Sequence, residues 1–423
     1  MDLYRTILPR PVGTSEVVAV KQVAEQAPGT ESVWVEDPSR AAEPRRGIYV
    51  GRTRITPSFQ LLYVRAEGAL FDTTAPVDDR YYELRPQLVA EMPVSSGFLR
   101  GAYQAHIRRG SSFELVNSTT THLADASAQV PIGSALEIVA SEHFARGVLE
   151  TTEVDPGREY FFGLGRFTRH IHGAGVRLLP GGRTDAGIAA SLDTVRVDDR
   201  STFFDHERQI VSAQLGYEVR PDLRVGVGYS FTRLPPPQER PLAESAEHYV
   251  FAELRGEILP LTTGNIAIGQ LRRTSPNAAT GGNEYTGLSA SARLEKSFTP
   301  STRLSLVASR TTHVSSFEEN AFYVTSSGQF LLQMEGPWST SLEGGGGYHR
   351  NDYRTIASSI GAPRRDVIRG WTVGVARQAT RHAFIRVDYR RERRDSNIDA
   401  FDTHSNSLIV NIGIGMFDAP SPR

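Results

Sequence analysis

The feature that most constrains this chain is a two-residue alternation of apolar with small or polar side chains. It is clearest in "LRVGVGYSFTR" at 223–233 and in "NSLIVNIGIGMF" at 406–417. Successive side chains of a β-strand point to opposite faces, so this period predicts strands with one apolar face and one polar face. The apolar faces of these two segments comprise Leu223, Val225, Val227, Tyr229 and Phe231, and Leu408, Val410, Ile412 and Ile414.

Runs of this kind recur between about residue 55 and residue 417, each followed by a turn signal. Eighteen segments qualify, with 16 to 20 as the range the pattern allows. They are 56–71, 80–92, 97–108, 113–130, 134–145, 158–172, 183–196, 207–219, 222–233, 245–259, 263–273, 284–298, 301–313, 320–334, 337–349, 365–378, 381–393 and 404–417. Most have the 9–11 residues that a membrane-spanning strand needs, or a few more, and they exceed the typical length of about 5–6 residues in soluble sandwiches.

The connections between these segments alternate in length. Tight turns such as "RPD" at 220–222 and "ATR" at 379–381 follow the even-numbered segments. Longer polar connections, including "LPPPQERPLAESA" at 234–246 and 351–365, follow the odd-numbered ones, with a short connection near Gly110 as the exception. Short turns at one end and long loops at the other are typical of outer-membrane barrels. The prediction is an all-β fold: a transmembrane antiparallel up-and-down β-barrel of about 18 strands (16–20) in a bacterial outer membrane.

Composition excludes several other classes. No run approaches the roughly 18 apolar residues of a membrane helix. A net charge of -1 gives no support to a nucleic-acid partner. The chain has no cysteine, so disulfides, thiol nucleophiles and Cys-ligated zinc are excluded.

In such a barrel one face of each strand meets lipid and the other lines the lumen. The apolar residues of 223–231 and 408–414 are therefore predicted to face lipid, and Gly226 and Gly228 to leave open space in the lumen. Opposing charged and aromatic side chains are predicted to line the pore: Glu218, Arg224, Tyr249, Phe251, Glu253, Arg255, Glu257, Arg293, Glu295, Arg386, Asp388 and Arg390.

Residues 1–46 show no sustained period and mix short apolar pieces with Pro and charge. They are interpreted as a leader or linker, with a periplasmic segment and a plug of the lumen as alternatives. The barrel is expected to occupy residues 47–423.

Other motifs give weaker signals. His170 and His172 share a strand face, but no third ligand is evident nearby, so no metal site is predicted. No G-x-S-x-G motif accompanies the histidines, and no enzyme activity or cofactor is expected. "RRERR" at 390–394 is interpreted as a patch that meets lipopolysaccharide phosphates or solvent.

The opening segment "GIYVGRTRITPSFQLLYVRAEGALFD", followed by "YYELRPQLVAE", resembles the start of the putative outer-membrane β-barrel porins of type 2. The resemblance extends over about residues 47–417. It implies an outer-membrane channel that secretes an exopolysaccharide or capsular polysaccharide. Its partners would be outer-membrane lipid and lipopolysaccharide, the barrel-assembly machinery, the polysaccharide and periplasmic export components. A general or small-solute diffusion porin and a structural, plugged barrel are the alternatives.

Overall fold

The computed structural model describes residues 47–69, 77–94, 97–148, 159, 166–179, 182–198, 205–236, 244–276, 284–315, 320–357 and 361–415. The predicted leader at 1–46 and the aromatic Phe417 at the end of the last predicted strand lie outside these ranges. Within them, no helix combines the length and hydropathy that crossing a bilayer requires.

Nineteen strands occupy these ranges, and most are 12 to 19 residues long. They are β1 (Ile48–Val50), β2 (Thr53–Ala69), β3 (Val77–Val94), β4 (Gly97–Arg109), β5 (Thr120–Ile132), β6 (Leu136–Val148), β7 (Arg166–Leu178), β8 (Thr184–Val197), β9 (His206–Arg220), β10 (Leu223–Leu234), β11 (Ser245–Leu259), β12 (Thr262–Thr274), β13 (Glu284–Thr299), β14 (Thr302–Val314), β15 (Phe322–Gly336), β16 (Thr340–Ala357), β17 (Ala362–Thr380), β18 (Ala383–Ser396) and β19 (Thr403–Gly415). One α-helix, α1, spans Glu114–Ser118.

Strands β2–β19 form a closed ring of eighteen antiparallel strands. Each pairs with its neighbours in sequence, and β19 pairs with β2 to close the barrel. The three-residue β1 forms a hairpin with β2 only. Closure leaves no unpaired sheet edge, which is the condition for a sheet to span a bilayer. The predicted fold class and strand number are confirmed.

The pairing register sets which side chains share a face. Val227 of β10 lies opposite Leu215 of β9 and Ala252 of β11, so apolar residues meet apolar residues across three strands. The intervening Gly228 pairs with Gln214 and Phe251 on the other face. A slip of one residue would exchange the two faces, so the alternating pattern itself specifies the register.

The two ends of the barrel differ as predicted, with two corrections. Of the predicted segment 158–172, the part before Arg166 lies outside the described ranges except for Glu159. The connection near Gly110 spans ten residues, 110–119, because it contains α1. The supposed long loop at 351–365 is mostly strand: β16 and β17 stay paired up to Ala357 and Ala362, leaving only 358–361 between them.

Candidate functional site in the barrel lumen

The outer face of the barrel carries a continuous apolar band. Val227 at 58% exposure and Ile414 at 57% exemplify it. Every residue predicted to face lipid lies on this side of its strand, and the set is exposed or half-buried. Aromatic residues such as Tyr63, Tyr229 and Tyr389 lie toward the long-loop end of the band, and arginines follow them along the strands. This order matches the aromatic girdle of membrane barrels.

The inner face near the short-turn end carries a network of charges from β6 to β10. Arg224 Nη1 donates to Asp185 Oδ1 at 2.7 Å, and Arg224 Nη2 lies 3.3 Å from Glu218 Oε2. Arg177 approaches the other oxygen of Asp185 at 2.8 Å. Asp185 is buried between the two guanidinium groups, so its charge is compensated within the wall.

A second network at the same end joins β16 and β18. Arg386 donates to both carboxylate oxygens of Asp388 at 2.7–2.9 Å and also to Glu343. Arg386, Asp388 and Arg390 are all at most 5% exposed. Three predicted pore-lining residues therefore lie on the inner face, but neighbouring side chains cover them.

Two further predicted residues form an aromatic pair inside the barrel. The rings of Tyr249 and Phe251 stack at 4.9 Å, and the Tyr249 hydroxyl lies 3.4 Å from the carbonyl oxygen of Ser289. A Cβ on Gly228 would lie 2.3 Å from the Phe251 ring. The expectation that Gly228 leaves open space is therefore wrong, because the aromatic ring of the next strand fills that space.

The remaining predicted residues lie close to the short-turn end. Arg255 donates to Glu253 at 3.1 Å, and Asn265 donates to the same carboxylate at 2.8 Å. Glu257 accepts the backbone N–H of Leu261 at 3.2 Å, so it caps a turn. Arg293 is half-buried and Glu295 is exposed at the lower end of β13. The structure thus distributes the predicted set among several separate clusters.

At the long-loop end, β14 and β15 separate from β13 but not from β16. The pairing of β13 with β14 ends at Ala290 and Arg310, whereas β14 and β15 remain paired up to Val314 and Phe322, and β15 and β16 remain paired up to Tyr323 and Tyr353. Five consecutive residues, 321–325, are at most 3% exposed. A strand in the wall has one exposed face, so burial of every residue means that both faces are covered. We call residues 311–315 and 320–325 the inner hairpin.

The inner hairpin packs against the inner face of β11–β13. The Phe322 ring lies 4.8 Å from the Arg273 guanidinium carbon and 6.4 Å from the Tyr285 ring. Arg273 donates to the Thr312 hydroxyl at 3.1 Å, and Thr312 donates in turn to Glu247. Phe322 also joins the buried cluster of Tyr249, Phe251, Ala267, Leu271, Tyr285, Ala321 and Val324. This apolar cluster occupies part of the lumen.

Glu159 meets the inner hairpin from the far side of the barrel. It lies in the connection between β6 and β7, is fully buried, and accepts the Ser315 hydroxyl at 2.6 Å. It also interacts electrostatically with Arg364 on β17, whose guanidinium holds Asp366 at 2.6–3.0 Å. Strands β7 and β17 are eight apart by the shorter way round a ring of eighteen, so Glu159 interacts with the opposite wall.

Several residues that narrow the lumen were absent from the sequence prediction, although Tyr249 and Phe251 of the same cluster were part of it. Arg273, Tyr285, Phe322 and Glu159 come from separate strands and a loop, so no local pattern joins them. One signal was available: "AFYV" at 321–324 is a continuous apolar run, which indicates burial on both faces, not alternation.

A closed antiparallel barrel with an apolar outside and a charged inside defines an outer-membrane protein of the porin-like channel class. The family model described as Putative beta-barrel porin 2 matches residues 184–415, and the chain belongs to this family. Its location is the bacterial outer membrane.

Several solved structures are similar in fold. OpdK from Pseudomonas aeruginosa, solved with vanillate, is 12% identical, with 85% of this chain and 98% of that chain covered and a TM-score of 0.48. A BenF-like porin from Pseudomonas fluorescens Pf-5 is 9% identical, covering 86% and 98%, with a TM-score of 0.49. OccAB4 from Acinetobacter baumannii is 11% identical, covering 85% and 98%, at 0.46. No curated protein matches the chain.

Proposed function

We propose that this protein is a diffusion porin for small hydrophilic solutes. The observation that carries the proposal is the inner hairpin, in which residues 321–325 are buried inside the barrel. Eighteen strands spaced about 4.8 Å apart and tilted about 40° enclose a backbone ring roughly 35 Å across. The inner hairpin, the aromatic cluster and the paired charges occupy part of that width.

The chemistry of the inner wall supports passage of polar solutes. Half-buried groups of both signs, including Arg224, Glu218, Arg255 and Glu253, surround the short-turn end. Most are compensated within 2.7–3.3 Å by a partner of opposite charge. Such a wall offers hydrogen-bond donors and acceptors to a hydrated solute without a strong field of one sign. Transport of this kind needs no catalytic group and no cofactor.

Reconstitution tests the proposal. The purified chain in planar bilayers should give small, stable conductance steps, and liposomes containing it should swell in monosaccharides or amino acids but not in large oligosaccharides. Liposomes that stay impermeable to every small solute, with a bilayer that stays silent, would overturn the proposal.

The polysaccharide conduit rests on the family resemblance alone, and the inner hairpin, which narrows the lumen, weighs against it. Deleting the gene and measuring surface polysaccharide separates the two functions. Normal amounts of polysaccharide would eliminate export, whereas loss of polysaccharide together with impermeable liposomes would favour it. If residues 1–46 plug the barrel, planar bilayers should show no conductance with the full chain and should conduct once these residues are removed.

We also propose that the outer arginines contact lipopolysaccharide. Alternation divides "RRERR": Arg391 and Arg393 face outward, whereas Arg390 and Arg394 are buried inside. The patch expected from the sequence is therefore split between two faces. Arg391 and Arg393 follow Tyr389 on the outer face and lie at the height of lipid headgroups, where phosphate is the matching anion.

A further inference from the structure

Two histidines and a glutamate meet on the outer face of the barrel, outside the lumen. The pairing of β6 with β7 places Glu142 directly opposite His172, and His170 lies two residues further along the same face of β7. The sequence indicated two imidazoles without a third ligand. The register supplies that ligand from a residue 28 positions away from His170.

The ligand atoms of the three side chains converge. His170 Nδ1 lies 3.4 Å from Glu142 Oε1, and His172 Nδ1 contacts the other oxygen of the same carboxylate. All three potential ligand atoms lie within 4.8 Å of one another. The two imidazole rings are nearly parallel at a centroid distance of 5.8 Å, and Phe144 packs on His170 at 5.0 Å.

Neighbouring outward side chains leave the cluster open on its lipid side. Ala140 and Ala174 lie next along the strands, and Ala126 and Leu192 are the partners on the flanking strands. The three polar side chains are 37–55% exposed, so their rotamers can adjust. Ligand atoms around a tetrahedral ion with bonds of about 2.0–2.1 Å lie roughly 3.3 Å apart, which needs only a small closure.

We propose that Glu142, His170 and His172 form a site for a divalent transition-metal ion. Two imidazoles with one carboxylate suit Zn²⁺, Ni²⁺ or Cu²⁺, and the remaining coordination positions would be open toward the outer leaflet. Mg²⁺ and Ca²⁺ prefer all-oxygen ligands, so they should bind far more weakly. The site would also compensate a carboxylate that otherwise lies on a lipid-facing surface.

The same barrel provides matched controls. His122 and His248 also face outward, and each contacts a tyrosine hydroxyl through Nδ1 at 2.7 Å: Tyr103 and Tyr229 respectively. Among the residues that the structure describes, neither histidine belongs to a group of three potential ligands. Their removal should leave metal binding unchanged.

The test is isothermal titration of Zn²⁺ into the full chain, purified in detergent without a polyhistidine tag. We expect one Zn²⁺ per chain, with affinity at least tenfold weaker in His172→Ala and in Glu142→Gln, and unchanged in His248→Ala. Copper EPR of the wild type should show nitrogen coupling from two imidazoles. A gel shift between unheated and heated samples checks that each variant is folded.

Two results would overturn the proposal. One is the absence of stoichiometric Zn²⁺ binding to the folded wild type. The other is equal affinity in the wild type and in a folded Glu142→Gln or His172→Ala variant, which would place the metal elsewhere.

Discussion

Strands β10 and β15 both belong to the barrel sheet but have different environments at the long-loop end. Along β10 the exposed residues Val225, Val227 and Tyr229 alternate with inward ones, and the strand stays paired on both sides over most of its length. Along β15, Phe330 and Met334 are exposed in the half nearer the short turns, but 322–325 are buried on both faces. Alternating exposure marks a strand with one face toward lipid, and its loss marks a segment that has separated from β13 and is covered on both faces.

The largest expected effect comes from releasing the inner hairpin. Phe322→Ala removes a fully buried ring from between Arg273 and Tyr285, at a cost of about 3–5 kcal/mol for docking of the hairpin. We expect a several-fold larger single-channel conductance in planar bilayers. Phe330→Ala, on the same strand but half exposed on the outer face, is the control and should conduct like the wild type. Equal conductance of the wild type, Phe322→Ala and Phe330→Ala would show that the inner hairpin does not restrict the pore.

A charge on the outer face of β10 tests the lipid-facing assignment. Val227→Arg should destabilise the barrel in a bilayer by about 2–4 kcal/mol, because the residue lies within the apolar band. Thr194→Arg, placed beside the outward Arg196 at the end of the band, should cost at most about 1 kcal/mol. Equilibrium unfolding in lipid vesicles with urea gives both values, and equal costs would contradict the assigned band.

Glycine replacement tests the packing of the inner face. In Gly228→Ala the new methyl group must displace the Phe251 ring, and we expect a loss of about 1–3 kcal/mol. At Gly101 nothing lies within 4 Å of an added Cβ, so Gly101→Ala should change the free energy of unfolding by less than about 0.5 kcal/mol. Denaturant titration in detergent gives the free energy of unfolding of both variants. A neutral Gly228→Ala would mean that the Phe251 ring is not fixed in the lumen.

A cross-linking test of Glu159 measures proximity and not a change in conductance or stability. The chain has no cysteine, so Glu159→Cys and Ser315→Cys together introduce the only two thiols. A short bis-maleimide should join them within one chain and alter its mobility on a gel. The pair Glu159→Cys with Ser212→Cys, whose second residue lies on β9 opposite Ala189 and Ser230, is the control. Equal cross-linking of both pairs would argue against contact with the inner hairpin.

Local sequence pattern predicted all eighteen wall strands, because the period of two is imposed by the contrast between lipid and lumen at every residue. It failed where that contrast ends. The "AFYV" run and the helix α1 depart from alternation, and 351–365 is polar because its strands extend beyond the apolar band. For the candidate sites, the sequence pattern was enough to assign each inward residue to a face of its strand. It could not predict the contact of Arg386 with Glu343, 43 residues away, because that contact depends on the register between strands.

The sequence by itself determined the class of this protein. Repeated amphipathic segments of membrane-spanning length, with short turns alternating with long connections, can bury their apolar faces only against lipid in a closed ring. Tertiary structure decided what the ring encloses. Phe322 contacts Tyr285, Glu159 contacts Ser315 and Glu142 contacts His172. These partners are 30 to 156 positions apart in the sequence, so they meet only after the barrel closes. These contacts follow from the strand register and from the position of the inner hairpin. Neither is encoded in the local two-residue period.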